Sequence, residues 1–175
     1  MSQVKGKRVA VLVEKLYEDL ELWYPVLRLR EAECKVTIVG PKAGETYASK
    51  HGYPCKAEAA ADAVSVDDFD GIVIPGGYSP DHMRRCKPMV DLVTQAAHQG
   101  KVLASICHGP WMLCSTKAIK GRRLTSFYAI RDDVENAGAI WEDAACVRDK
   151  NIVTSRTPDD LPEFMKGIFA ALADA

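Results

Sequence analysis

A cysteine and a histidine stand side by side in the run A-S-I-C-H-G-P, residues 104–110. A thiolate is a strong nucleophile toward carbonyl carbon, and an imidazole with an ordinary pKa of ~6.5 can take and return a proton near neutrality. The apolar, β-prone stretch Val102–Ile106 leads into the pair, and Gly109-Pro110-Trp111 suits a helix start. A side chain at such a strand-to-helix junction is held on a sharp turn, exposed above the end of a sheet. Ser105 and Gly109, two residues to either side, are small enough to let that turn close. Cys107 is therefore the candidate nucleophile, and the helix start is expected to lower its pKa.

Attack of a thiolate on a carbonyl creates an oxyanion, which needs hydrogen-bond donors where the charge develops. In an elbow of this kind the first donor is the backbone N–H of the residue after the nucleophile, here His108. Gly76-Gly77 could supply the second, with Gly77 favoured, although a tight turn would ask for the same glycines. His108 could be general base and then general acid, or only a polar group at a helix start, because its geometry to the adjacent thiol depends on the turn. A third group would orient the imidazole or share the thiol proton, and Glu18 and Asp81 are the acidic candidates in neighbouring loops. Glu14, Asp19 and Glu21 compete with them, but a solvated charged face is the expected place for these three.

Other chemistries find little support. Neither G-x-x-x-x-G-K-[ST] nor G-x-G-x-x-G is present. His51, His82 and His98 lack metal-ligand spacing with one another. The six cysteines (34, 55, 86, 107, 114, 146) form no C-x-x-C pair of the zinc-site kind, and the chain is too large and ordinary for a disulfide framework. Most of these cysteines are expected to be small core residues. No cofactor and no metal are expected.

The elements that must position these residues can be read from periodicity. Strands are expected at Lys7–Val13, Lys35–Val39, Phe69–Ile74 and Val102–Ile106, with shorter ones at Arg123–Ser126, Cys146–Arg148 and Ile152–Ser155. Helices are expected over Tyr17–Glu33, started or kinked near Pro25, over Lys87–Gln99, and over Leu161–Leu172. Gly44–Ala61 reads as a loop with a short strand or hairpin, and Ile130–Ala137 as a polar segment. Strands alternating with helices imply a mostly parallel sheet covered on both faces. In such sheets the ligand crevice lies beyond the carboxyl ends of the strands. That rule brings Lys15–Asp19, Gly76–Asp81 and Cys107-His108 to one place.

At 175 residues the chain is long enough for one domain, 1–175, with a proper core. A net charge of −1 gives no reason to expect nucleic acid or an anionic membrane as a partner. No apolar run approaches the ~18 residues of a membrane span, and no signal peptide is recognisable, so a cytoplasmic protein is expected.

The motifs together carry a resemblance. E-D-L-E-L-W-Y-P (18–25), K-H-G-Y (50–53), I-V-I-P-G-G (72–77), A-S-I-C-H-G-P (104–110), I-R-D-D-V-E-N-A-G (130–138) and T-S-R-T-P-D-D-L (154–161) occur in order over nearly the whole chain. The sequence resembles the PfpI-type branch of the ThiJ/PfpI superfamily. The resemblance implies a flavodoxin-like three-layer α/β/α sandwich related to the glutaminase domain of class I amidotransferases. It puts the nucleophile on Cys107, the histidine on His108, the carboxylate close to the thiol on Glu18, and the oxyanion donors on the backbone of Gly77 and His108. It also implies a further acid reaching the histidine across a subunit interface. The matching position is Asp81, one methylene shorter than the family's usual glutamate. Phe127-Tyr128 stands where related proteins often carry Tyr-Pro, and Phe127 cannot donate a proton. The implied activities are those of a glyoxalase or deglycase acting on small aldehydes and glycated protein, or of an intracellular peptidase, in a dimer or hexamer. A glutamine amidotransferase would need a histidine downstream of the nucleophile, and His108 is the last histidine of this chain. The alternative of a different class is a redox-sensing stress protein or chaperone in which Cys107 is oxidised instead of catalytic. Trp23 and Tyr24 suit either an interface or helix-to-sheet packing.

Overall fold

A computed structural model describes residues 2–175. In chain order its elements are β1 (Arg8–Leu12), α1 (Asp19–Glu31), β2 (Lys35–Gly40), β3 (Thr46–Ala48), β4 (Pro54–Lys56), β5 (Ala59–Ala60), β6 (Gly71–Ile74), α2 (Ser79–Arg84), α3 (Lys87–His98), β7 (Val102–Ile106), α4 (Pro110–Thr116), β8 (Arg123–Leu124), α5 (Arg131–Asn136), β9 (Ile140–Trp141), β10 (Cys146–Asp149), β11 (Ile152–Ser155) and α6 (Leu161–Asp174). The main sheet has seven strands in the order β10-β11-β7-β6-β1-β2-β5. Every pairing in it is parallel except that of β10 with β11.

Strand alternation sorts the core into two halves. Val9 and Val11 of β1 face one side with α1 and α6, whose Leu22, Val26, Leu29, Phe164, Ile168 and Leu172 are buried there. Ala10 and Leu12 face the other side with Met89, Leu92 and Val93 of α3 and Met112 and Leu113 of α4. The result is the expected three-layer α/β/α sandwich.

Chain direction places the site. From β1 the chain moves outward to β2 and β5, then returns across β1 to β6 and on to β7. Strand order therefore reverses between β1 and β6, and the loops leaving β1, β6 and β7 open a crevice at their carboxyl ends. The loop after β6 is stitched to the loop after β1, since Tyr78 N–H donates to the Leu16 carbonyl (2.9 Å) and Tyr17 forms a bridge with Gly77.

Three expectations need correction. Arg123–Leu124 leaves the main sheet and pairs with Ile140–Trp141 in a small parallel pair. Residues 130–137 are not a plain polar segment, because Arg131–Asn136 forms α5 with Val134 buried beneath it. The helix α2 over Ser79–Arg84 was not expected. Both helices have six residues, too short for a 3.6-residue period to stand out. The Gly44–Ala61 region does hold a hairpin, β3 with β4. No helix among the described residues is long and apolar enough to cross a membrane.

Candidate active site

Cys107 is the first residue after β7, and its backbone has φ +60. An L-residue in this left-handed region is strained by about 1–2 kcal/mol, a cost met at nucleophile elbows because the turn lifts the side chain off the strand. Its neighbours make the turn possible. A Cβ on Gly109 would lie 2.6 Å from the Ile74 carbonyl oxygen and 2.8 Å from that of Ile106, so no larger residue fits. The Gly109 N–H closes the turn onto the Ile106 carbonyl at 2.7 Å.

His108 follows with its Nδ1 3.2 Å from Cys107 Sγ. Phe127 stacks on the imidazole (centroids 5.1 Å apart) and Trp111 meets it edge-on at 5.0 Å. The ring is thus held between two aromatic walls. Burial, helped by the positive charge of Lys50, lowers the His108 pKa, which keeps the imidazole neutral near pH 7. Phe127 therefore packs the histidine in place and contributes no proton.

The carboxylate beside the thiol is Glu21. This corrects the assignment to Glu18. Glu18 caps α1, its side chain accepting the Glu21 N–H at 2.9 Å, while its Oε1 lies 3.8 Å from Lys50 Nζ. Glu21, one turn further on, is fully buried, and its Oε2 and the Cys107 Cβ crowd the same side of Gly76. Its Oε2 accepts the Gly76 N–H at 2.8 Å, and its Oε1 has no hydrogen-bond partner. The expectation that Glu21 would sit on a solvated face fails for a reason visible in the helix register. Glu21, Leu22, Pro25, Val26 and Leu29 form the buried stripe of α1, so Glu21 belongs to the core-facing side. That stripe is the signal that could have found it. Pro25 also lacks the N–H that would bond the Glu21 carbonyl in an unbroken helix.

Burial, reinforced by the charge of nearby Glu18, pushes the Glu21 pKa up to about 8. Burial and the negative charge of Glu21 likewise push the Cys107 thiol up, against the pull of the Gly77 and His108 backbone N–H groups. The expected lowering by the helix start is not found. α4 has only seven residues, and burial of the sulfur, followed by the charge of Glu21, raises the thiol pKa. When Glu21 is protonated the Coulomb penalty on a thiolate vanishes, so thiol and carboxyl act as one proton-sharing unit.

The backbone N–H groups of Gly77 and His108 both favour a negative charge on the sulfur. Gly77 has φ +71, and a Cβ there would stand 2.4 Å from the Leu16 carbonyl oxygen and 2.6 Å from the Glu18 nitrogen. Only glycine lets this backbone turn its N–H toward Cys107 while pressed against the loop after β1. At Gly76 a Cβ would lie 2.5 Å from Glu21 Oε2 and 2.7 Å from the Cys107 Cβ.

Asp81 lies in the first turn of α2 and pairs with Arg85, the residue that caps the end of that helix. Among the described residues of one chain it makes no hydrogen bond or ion pair with His108. Lys50 donates its backbone N–H to the Tyr17 carbonyl at 2.9 Å, and its charge acts on both Glu21 and His108. Sequence reasoning gave Lys50 no role of its own. The donor atoms of Glu18, Asp19 and His51 come within 4.8 Å of one another, a gathering that spacing along the chain had not suggested. Asp19 and His51 are already paired there at 2.7 Å, and the Lys50 ammonium stands beside Glu18. The six cysteines are all free thiols. Trp23 and Tyr24 are half-buried against the α1–α6 side of the core.

A buried thiol on a strained strand-to-helix elbow, set between a histidine, a carboxyl group and two converging amides, defines an α/β protein of the cysteine-elbow class. Residues 7–171 match the DJ-1/PfpI family, and the chain belongs to that family. The deglycase PfpI of Pyrococcus furiosus is 40% identical over 159 residues, covering 91% of this chain and 95% of that protein. YraA of Bacillus subtilis, which carries a provisional cysteine-protease name, is 41% identical over 91% of this chain and 94% of its own length. General stress protein 18 of the same organism is 37% identical over 95% of this chain and 98% of its own. Among solved structures, DJ-1beta of Drosophila melanogaster superposes with TM-score 0.89 at 28% identity, covering 97% of this chain and 92% of that one. A two-domain protein of Anabaena variabilis, with DJ-1/ThiJ/PfpI-like and ferritin-like domains, gives TM-score 0.93 at 39% identity. That match covers 95% of this chain, which spans about half (48%) of the larger protein.

Proposed function

We propose that this protein is a cofactor-independent, cysteine-dependent hydrolase of small aldehydes and of the adducts they leave on proteins, a deglycase with glyoxalase III-like chemistry. The observation that carries the reading is the placement of the Cys107 sulfur between a fully buried carboxyl group, Glu21, and the amides of Gly77 and His108. Sγ adds to the carbonyl carbon, forming the S–C bond as the C=O π electrons move onto oxygen. The thiol proton passes to the neutral His108 imidazole, while protonated Glu21 gives its proton to that oxygen and recovers one from His108, closing a hemithioacetal with all atoms accounted for. The N–H groups of Gly77 and His108 are the donors for the transient oxyanion. The deglycase names of relatives such as PfpI support the substrate class.

Proteolysis is the second reading, supported by the name of YraA, and would use the same addition to an amide carbonyl. A stress role, with Cys107 oxidation as its signal, draws support from the name of general stress protein 18. We place the protein in the cytoplasm, a compartment in which six free thiols persist. We assign it no nucleic-acid or membrane partner, and read it as a homo-oligomer in which Asp81 of one subunit approaches His108 of another.

The test is turnover of methylglyoxal, a glyoxal-treated peptide and casein by the native protein and by Cys107→Ala. Conversion of the first two, lost in the variant, is the expected result. Activity that survives in Cys107→Ala overturns the nucleophile. Casein cleavage without aldehyde turnover transfers the assignment to a peptidase, and silence on all three with selective peroxide oxidation of Cys107 transfers it to a sensor.

A further inference from the structure

We propose that Lys50 selects the substrate, offering its ammonium to a carboxylate attached to the carbonyl that Cys107 attacks; this rests on the reading of Cys107 as a nucleophile toward carbonyls. The placement is built, not incidental. The backbone of Lys50 is tied to Tyr17, in the same Leu16–Glu18 segment that presses against Gly77 and so fixes one amide at the sulfur. Its side chain is steered by Glu18, a buried carboxylate whose other oxygen is committed to capping α1. At 3.8 Å the Lys50–Glu18 contact is an ion pair without a hydrogen bond, so the ammonium keeps its three donors for another acceptor. The side chain is 44% exposed, which leaves it open to a ligand arriving from solvent.

Lys50 also stands close enough to act electrostatically on both Glu21 and His108, the two groups that flank the sulfur. A carbonyl carbon bonded to Sγ would sit beside those two groups, and a carboxylate on the next carbon would be drawn toward the ammonium. The chemistry that fits is a 2-oxo acid or aldehyde acid, or an adduct that retains a carboxylate next to its carbonyl-derived carbon. Glu18 thereby gains a role distinct from proton transfer: it positions Lys50.

The experiment compares two aldehydes of equal carbon number, glyoxylate with a carboxylate and glycolaldehyde with a neutral hydroxymethyl group. Each adds reversibly to a thiol and so protects it from alkylation. Protection of Cys107 from iodoacetamide, followed on its own peptide by mass spectrometry, gives the half-protecting concentration of each. In Lys50→Met that concentration should rise roughly tenfold for glyoxylate, the effect of losing one charge-assisted contact, and stay within about twofold for glycolaldehyde. Lys50→Arg should restore glyoxylate protection to within about threefold of native, which separates charge from imine formation at the lysine amine. Added salt should weaken glyoxylate protection of the native protein only. Equal shifts for both aldehydes, or none for glyoxylate, overturn the role of Lys50 while leaving the nucleophile standing. Protection by neither aldehyde in the native protein overturns the addition chemistry itself, and the selection by Lys50 with it.

Discussion

A fully buried carboxyl group beside a buried thiol is a costly arrangement, and its cost should be measurable in folding stability. Glu21 is raised from an ordinary 4.5 to about 8 by burial and by Glu18. Below about pH 4.5 the group is protonated in folded and unfolded chains alike. As pH rises toward 8 the unfolded chain gives up this proton and the folded protein keeps it, so stability falls through that window and then levels off. Glu21→Gln removes the titration but keeps an oxygen for the Gly76 N–H. Between pH 5 and 8 the variant should therefore gain roughly 2–4 kcal/mol on the native protein in denaturant unfolding. Parallel pH profiles would show that Glu21 ionises normally. The same variant should lose about 10²–10⁴ in turnover, the usual worth of a general acid or base, and Glu18→Gln should lose much less. Equal losses would return the proton to Glu18. Nothing in the residue types distinguishes the two glutamates, three positions apart on one stretch of chain. Their difference lies in which one faces the core.

At the scale of elements, the crevice is made by loops that hold one another. The turn after β6 is pressed into the loop after β1 with almost no free space, and Gly77 is the contact. Gly77→Ala should cost about 1–3 kcal/mol or more, because the new Cβ meets backbone and the φ of +71 is unfavourable for alanine. Turnover should fall further than stability alone explains, since the displaced amide is one of the two aimed at the sulfur. A variant with native stability and activity would remove Gly77 from the oxyanion site; both are read by thermal unfolding and a kinetic assay on the same preparation. The long periodic elements of this fold were legible in sequence: β7 and β11 fall at the expected residues, and α1, α3 and α6 within a few. The short ones were not. α2, α5 and the β8–β9 pair have six residues or fewer, and each is held by packing, with Met83, Val134 and Leu124 buried in the core, not by a pattern long enough to demand it.

At the scale of the whole molecule, the open question is assembly, and Asp81 decides it. In one chain Asp81 is engaged by Arg85 and forms no ion pair with His108. If subunits complete one another's sites, Asp81→Asn should depress turnover, and mixing it with Cys107→Ala under exchange conditions should recover activity that neither variant has alone. Sedimentation of the native protein should then show an oligomer. Activity of Asp81→Asn at the native level would mean that each chain works by itself. Much of this protein was determined by its sequence alone. Strand periodicity, the glycine pairs and the A-S-I-C-H-G-P run imply a parallel sheet with a cysteine elbow at its carboxyl edge, since hydrophobic alternation and positive-φ turns are local demands that particular residues meet. Only the tertiary structure decided which carboxyl group meets the sulfur, that burial and this carboxylate raise the thiol pKa instead of a helix lowering it, and that the Lys50 charge acts on both Glu21 and His108. Those are through-space properties. Burial, dielectric and the distance between charges depend on how α1, the β3–β4 hairpin and β7 pack together, and no spacing along the chain encodes that packing directly.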